Sequence, residues 1–132
     1  MRVIADTNVL VRAVVRDDKA QARLADKALR EAEIIAVTST TLCEFAWVLR
    51  RTYRFGAPDI AAAIRALLDA ENVVADRSAA EAGMALMEAG GDFADAIVAQ
   101  EGAWLGGETF VSFDRQAVEL LAAQGRPARL LR

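Results

Sequence analysis

The stretch that decides the fold is MRVIADTNVLVR, residues 1–12, in which two apolar segments enclose three polar residues. Residues 2–5 have the character of a buried strand, and residues 7–15 have the pattern of a helix. Asp6, Thr7 and Asn8 therefore lie where a strand ends and a helix begins. A polar residue there can cap the helix, and this end of a strand is also where open α/β sheets hold their functional residues. The stretch indicates an α/β fold and leaves both roles open for Asp6.

The alternation of short strands and longer helices continues along the chain. Strands are predicted at residues 2–5, 34–37, 72–75, 109–112 and 128–131, and helices at residues 7–15, 19–32, 39–53, 58–70, 77–89, 92–104 and 115–123. Such alternation favours a parallel sheet with helices on both faces, and 132 residues fit one domain. We expect a single domain, residues 1–132, with a three-layer α/β/α fold and a mainly parallel central sheet of four or five strands.

The composition excludes several classes of protein. The chain has no histidine, which removes Ser-His-Asp catalysis and His-ligated zinc sites. Its single cysteine, Cys43, cannot form an intrachain disulfide and suits a reducing compartment. No segment has the pattern of a membrane span or a secretory signal, so we expect a cytoplasmic protein. The net charge of −3 is opposite in sign to that of proteins that bind nucleic acid through a large basic surface.

Acidic residues occupy positions where an α/β fold could bring them together. Asp6 ends the first predicted strand, and Asp114 follows the fourth. Glu44 stands in the largely apolar segment LCEFAW, and Asp95 follows Asp92 by three residues at the start of one predicted helix. Clustered carboxylates are costly to keep ionised unless a cation neutralises them. All-oxygen ligands favour Mg²⁺ or Mn²⁺, and such ions support the hydrolysis of phosphodiesters.

Each of these residues also has a purely structural explanation. Three aspartates precede predicted helices and could serve only as caps, namely Asp6, Asp92 and Asp114. The hydroxyl and amide side chains near them could serve only as turn or capping residues, namely Thr7, Asn8 and Ser112. Glu44 could lie on a solvent-facing side of a helix. The hypothesis of a site therefore depends on the whole ordered set of residues.

Four segments resemble the PIN-domain nucleases, and within them the VapC-like toxins of bacterial type II toxin–antitoxin pairs. They are the strand ending in Asp6-Thr7-Asn8, TSTTLCE at residues 38–44, DFADAIVA at residues 92–99 and VSFD at residues 111–114. Their order and spacing agree with the family over nearly the whole chain. The resemblance implies a compact α/β/α domain with an acidic pocket that binds Mg²⁺ or Mn²⁺ and cleaves single-stranded RNA.

The resemblance also assigns the catalytic, metal-binding acids. Asp6 matches the first acid of the family's metal site, Glu44 the second, Asp95 the third and Asp114 the fourth. In this interpretation Asp6, Asp95 and Asp114 help to hold one or two ions, and Glu44 completes the site or orients the attacking water.

Supporting roles follow in the same way. Thr7 and Asn8 match the polar residues that support the first acid, and Ser112 matches the hydroxyl residue two positions before the last acid. Asp92 falls on a more variable position and is interpreted as an auxiliary acid or a cap. Arg115 directly follows the last acid and could either reach a substrate phosphate or face solvent.

A VapC-like toxin would inhibit translation and growth, form a homodimer and bind a small cognate antitoxin. Helices of the toxin could offer apolar grooves to a partner helix, and an arginine of the antitoxin could fill the acidic pocket in place of the metal. Aromatic residues are candidate interface anchors that could equally belong to the core, namely Trp47, Tyr53, Phe55 and Trp104.

Three other functions are alternatives to the nuclease. A phosphatase with Asp6 as nucleophile would need a second aspartate two residues later, where this chain has Asn8. A receiver domain would need a paired acid near the first strand and a lysine after a late strand, and the sequence has neither. A catalytically inactive PIN-fold binding module would be expected to lose core acids, whereas all four are present.

Overall fold

A computed structural model describes all 132 residues of the chain, which divides into two compact units, Met1–Arg77 and Ser78–Arg132. In chain order the elements are β1 Arg2–Ile4, α1 Thr7–Val15, α2 Lys19–Glu31, β2 Ile34–Ala36, α3 Ser39–Arg51, α4 Ala57–Asp69, β3 Val73–Val74, α5 Arg77–Glu88, α6 Phe93–Trp104, β4 Phe110–Ser112, α7 Arg115–Ala123 and β5 Ala128–Leu130. Every predicted element is present, with bounds that differ by at most two residues at either end.

The first unit contains a three-stranded parallel sheet in the order β1-β2-β3. Val3 lies opposite Ile35 in β2, and Ile35 in turn lies opposite Val73 in β3. Because β1 and β2 are parallel neighbours, the residues that follow them, Asp6 and Thr38, leave the sheet at the same edge. Helices α1 and α3 begin at that edge and pack against each other.

Helix α3 shows why the helices of this unit pack as they do. Its buried residues are Leu42, Phe45, Ala46 and Leu49, which have the spacing of one helix face. That face forms part of the core, and α3 packs against α1 and α4. The helix is capped by Thr38, whose Oγ1 accepts a hydrogen bond from the N–H of Thr41 at 3.1 Å. Thr38 can do so because it directly precedes Ser39, the first helical residue.

The second unit contains a two-stranded parallel sheet, in which Ser112 of β4 lies opposite Leu130 of β5. Helix α7 packs on both strands. Leu86, Ala96 and Leu121 form a fully buried cluster that joins α5, α6 and α7. The ring of Phe93, at the start of α6, lies so close to Gly83 of α5 that a Cβ placed on Gly83 would overlap it.

The predicted fold class is confirmed, since the chain is α/β and all its strand pairs are parallel. The five strands form sheets of three and two, however, rather than one central sheet. Each hydrogen-bonded pair consists of strands that are consecutive in the chain, and β3 and β4, which two helices separate, belong to different sheets. That the chain forms a single domain stays a prediction. None of its helices combines the length and the apolar character that crossing a membrane requires.

Candidate functional site

Two of the predicted acids are joined by one residue in the first unit. Asp6 follows β1 and caps α1, with its Oδ1 accepting a hydrogen bond from the N–H of Thr7 at 2.8 Å. The hydroxyl of Thr7 donates a hydrogen bond to Oε2 of Glu44 on α3, at 3.2 Å. Thr7 is buried, with 7% of its surface exposed, while both acids are exposed. Thr7 therefore holds the Asp6 and Glu44 carboxylates on the neighbouring helices α1 and α3.

The supporting residues of the first acid are placed differently from each other. Thr7 contacts Asp6 through its backbone, and its side chain binds Glu44 rather than Asp6. Asn8 is exposed, lines a groove between α1 and α2, and makes no hydrogen bond to Asp6. The structure thus gives Thr7 a defined contact with the acids, and the supporting role of Asn8 stays a prediction.

In the second unit, Ser112 fixes the backbone of Asp114. Asp114 caps α7, with its Oδ1 accepting a hydrogen bond from the N–H of Ala117 at 3.1 Å. The N–H of Asp114 donates to Oγ of Ser112 at 2.9 Å. The carbonyl of Ser112 accepts a hydrogen bond from the N–H of Leu131 at 2.8 Å, which joins the ends of β4 and β5. The predicted supporting residue is therefore bonded directly to the last acid.

Asp92 and Asp95 lie at the start of α6. Asp92 caps the helix, with its Oδ1 accepting from the N–H of Ala94 at 2.9 Å. Asp95 is half-buried in the first turn. Burial raises the pKa of Asp95, and the carboxylates of Asp92 and Asp114 raise it further. Three aspartates of the second unit therefore interact electrostatically, and the ionised form of Asp95 is penalised.

Capping does not use up the carboxylates. Asp6, Asp92 and Asp114 each accept the capping hydrogen bond at Oδ1. The Oδ2 atom of each accepts no hydrogen bond from the protein and stays free to bind a cation or solvent. The structural and functional explanations of these three residues are thus compatible.

The acids also lack a protein cation as a partner. Ion pairs of the chain join other residues, among them Met1 with Glu33, Arg12 with Asp17 and Arg16 with Asp26. Oxygen ligands with uncompensated negative charge suit a hard divalent ion such as Mg²⁺ or Mn²⁺. Within either unit, however, no group of three or more acidic or cysteine side chains is arranged to hold a metal ion. The residues fit such an ion in chemistry and charge, and their role as its ligands stays a prediction.

Comparison with known families identifies the class. The family model described as PIN domain matches residues 3–121. The chain therefore belongs to the PIN domain family, which has a nuclease-type fold and whose members are generally nucleases that depend on divalent metal ions. The matched segment contains all four predicted acids. A search of curated proteins gave no match.

Two structural features near the predicted acids were not predicted from the sequence. The hydrogen bond between Thr7 and Glu44 joins residues 37 positions apart, and no local pattern records it. Arg129 and Arg132 lie with Arg115 along one cleft of the second unit. Their clustering near the C-terminal strand was the only available signal.

Proposed function

We propose that the chain is a Mg²⁺- or Mn²⁺-dependent endoribonuclease that cleaves phosphodiester bonds in single-stranded or loop RNA. We further propose that it is the VapC-like toxin of a type II toxin–antitoxin pair and acts in the cytoplasm, where it inhibits translation and growth. Membership of the PIN family supports the nuclease activity. The four motif segments that resemble VapC-like toxins support the choice of RNA and the toxin role.

One observation carries the proposal of a metal-dependent activity. Asp95 has a raised pKa because it is partly buried and faces the charges of Asp92 and Asp114, and no basic side chain forms an ion pair with these acids. Mutual repulsion of three like charges destabilises the folded state, and the capping roles of Asp92 and Asp114 do not account for Asp95. A site that binds a divalent cation explains why they are present.

The proposed roles follow from the contacts. Asp6, Glu44, Asp95 and Asp114 would hold the ion, which when bound supplies Lewis-acid stabilisation of charge on the phosphate and lowers the pKa of water. Thr7 fixes the orientation of the Glu44 carboxylate through its hydroxyl. Ser112 fixes the backbone that carries Asp114. Residues that orient metal ligands in this way contribute roughly 10–100-fold to metal affinity or activity.

RNA without secondary structure suits this proposal best. Unpaired nucleotides can be splayed out so that their phosphates reach an ion held by the acids, whereas a duplex holds its backbone in a fixed shape. The acids repel a bare phosphate backbone, so the ion would be needed for substrate binding as well as for chemistry. A substrate with both loops and stems should therefore be cut in its loops.

Cleavage of such an RNA with Mg²⁺ or Mn²⁺ tests the proposal. Asp6→Asn and Asp95→Asn should each reduce the rate by at least about 100-fold, because ligands contribute no less than the residues that orient them. Asp59→Asn is the matched control, since Asp59 is an exposed aspartate in the first turn of α4. Activity that survives both site substitutions, or persists in excess chelator, would contradict the proposal and favour a phosphatase or an inactive binding module.

The toxin role needs a separate test. Induced expression of the wild-type chain should stop bacterial growth, and expression of Asp6→Asn should not. Co-expression of a small protein encoded beside it should restore growth. The proposed homodimer and antitoxin would find exposed anchors in Trp47 and Trp104. Tyr53 is a weaker candidate because its hydroxyl already donates a hydrogen bond to Asp17.

A further inference from the structure

A small cleft of about 300 Å³ lies in the second unit, where α7 faces β5. Its charged lining consists of Arg115 and Glu119 from α7, Arg129 from β5 and Arg132 beyond the end of β5. Apolar side chains of the same two elements complete the lining. The cleft is therefore strongly basic, although the chain as a whole is acidic.

The arginines of this cleft have no partner within the protein. Arg115, Arg129 and Arg132 are exposed and take part in no ion pair, nor does any of them donate a hydrogen bond. Glu119, the one acid of the lining, is not within ion-pair distance of any of them. By contrast, Arg12 and Arg16 are each paired with an aspartate. Three guanidinium groups are thus free to bind an anion.

The position of the cleft relates it to the last acid of the proposed site. Arg115 is the residue after Asp114, at the start of α7. Strands β4 and β5 are parallel, with Ser112 opposite Leu130, so Asp114 and Arg132 each lie two residues beyond a matched pair. The cleft and Asp114 therefore lie at the same end of the two-stranded sheet.

We propose that this cleft binds a backbone phosphate of the RNA next to the one that is cleaved. The proposal rests on the nuclease function proposed above. Guanidinium groups bind phosphate oxygens through paired, charge-assisted hydrogen bonds, and a basic groove is how proteins follow a single strand. Bound there, the strand gains attraction that offsets its repulsion by the acids. Arg129 and Arg132 lie outside the segment matched to the family, whereas Arg115 and Glu119 lie inside it.

Binding of a labelled oligouridylate of twelve nucleotides tests the proposal. Measurements use the Asp6→Asn background at saturating Mg²⁺, so that the weakened site is occupied while cleavage is slowed by at least about 100-fold. At about 0.1 M salt, Arg129→Gln and Arg132→Gln should each weaken binding, and the double variant should weaken it about fivefold, because the single phosphate held by the cleft contributes about 0.7 to the slope of log K against log salt. The double variant should lower that slope by about 0.7. Arg129→Lys should keep most of the salt dependence.

The matched control is Arg23→Gln, which removes an exposed, unpaired arginine of α2 in the first unit. Double variants that bind RNA with the affinity and salt slope of this control would overturn the proposal. So would a loss of binding to an acidic peptide with RNA binding unchanged, which would make the cleft a protein interface. One further result would distinguish the two proposals. If the wild type cuts no RNA but the arginine variants lose RNA binding, RNA binding by the cleft is supported and the nuclease function is contradicted.

Discussion

Thr7 is the residue that links the chemistry of the first unit to its core. It is the one buried polar residue of the chain, and a buried hydroxyl must find a hydrogen-bond partner or lose stability. Its partner is the Glu44 carboxylate, which it meets from the first turn of α1. The same residue thus satisfies a requirement of folding and fixes an acid of the proposed site.

Substitution of Thr7 should separate these two effects. Thr7→Val keeps the shape but removes the donor, so we expect cleavage to fall by roughly 10–100-fold and the free energy of unfolding to fall by about 1 kcal/mol. Thr7→Ser keeps the hydroxyl and should retain most of the activity. The measurements are cleavage rates at saturating metal and denaturation in urea. Equal activity of the valine and serine variants would show that the hydrogen bond does not position Glu44.

The pKa of Asp95 gives the metal-free protein a specific pH dependence. Because this pKa is raised above its usual value near 3.8, the folded state binds the proton more tightly than the unfolded state. The free energy of unfolding should therefore fall as pH rises from the usual pKa through the raised pKa of the folded state, and this loss of stability should persist at neutral pH. In excess chelator, Asp95→Asn should melt at a higher temperature than the wild type at about pH 7, with little difference at about pH 3.

Thermal denaturation across this pH range checks the expectation. Glu81→Gln is the matched control, because Glu81 is an exposed acid on α5 of the same unit. If the melting temperature of Asp95→Asn never exceeds that of the wild type, the ionised Asp95 carboxylate does not destabilise the folded state.

At the level of single residues, the sequence predicted the identities of the acids but only part of their surroundings. The sequence predicted that Asp6, Asp92 and Asp114 precede helices, and all three cap a helix in the structure. The hydrogen bond between Ser112 and Asp114 could also be predicted from the sequence, because the two residues are only two positions apart. The raised pKa of Asp95 could not, since it depends on burial and on carboxylates brought near by folding.

At the scale of elements, helix bounds were the most predictable feature. Helices α1 and α7 have the predicted bounds, because apolar periodicity and a capping aspartate define both in the local sequence. Sheet order was less predictable, since strands of two or three residues carry little information about their partners. The strands therefore form sheets of three and two, in which neighbours are consecutive in the chain, instead of the expected single sheet.

The packing of α5 on α6 makes a prediction at this scale. A methyl group on Gly83 would overlap three ring atoms of Phe93, which is 3% exposed. Gly83→Ala should therefore destabilise the protein by up to about 2 kcal/mol, because overpacking costs roughly 1–3 kcal/mol and the gain in helix propensity is only about 1 kcal/mol. Gly102→Ala on α6 is the control, since a Cβ there meets nothing within 4 Å. It should stabilise by about 0.5–1 kcal/mol. Urea denaturation measures both, and two variants of equal stability would contradict close packing at Gly83.

On the scale of the whole molecule, charge is distributed unevenly. The chain is acidic, with 19 acidic against 16 basic residues, yet the basic cleft on α7 and β5 lies beside one of the acids. A negative net charge limits non-specific attraction of nucleic acid. RNA binding should then depend on two local features, the metal at the acids and the arginines of the cleft, and each can be removed separately.

Metal binding by the whole chain should be visible without any substrate. An ion that binds only the folded state at 100 times its Kd stabilises it by about 2.7 kcal/mol, which should raise the melting temperature by about 5–10 °C for a chain of this size. We expect Mn²⁺ to produce such a shift in the wild type, and a much smaller one in Asp6→Asn and in Asp95→Asn. Asp59→Asn should respond like the wild type, because Asp59 lies on α4. A shift that survives both site substitutions would place the metal elsewhere. No shift at all would favour a PIN-fold protein without metal chemistry, since uncompensated acids that serve catalysis must bind the ion.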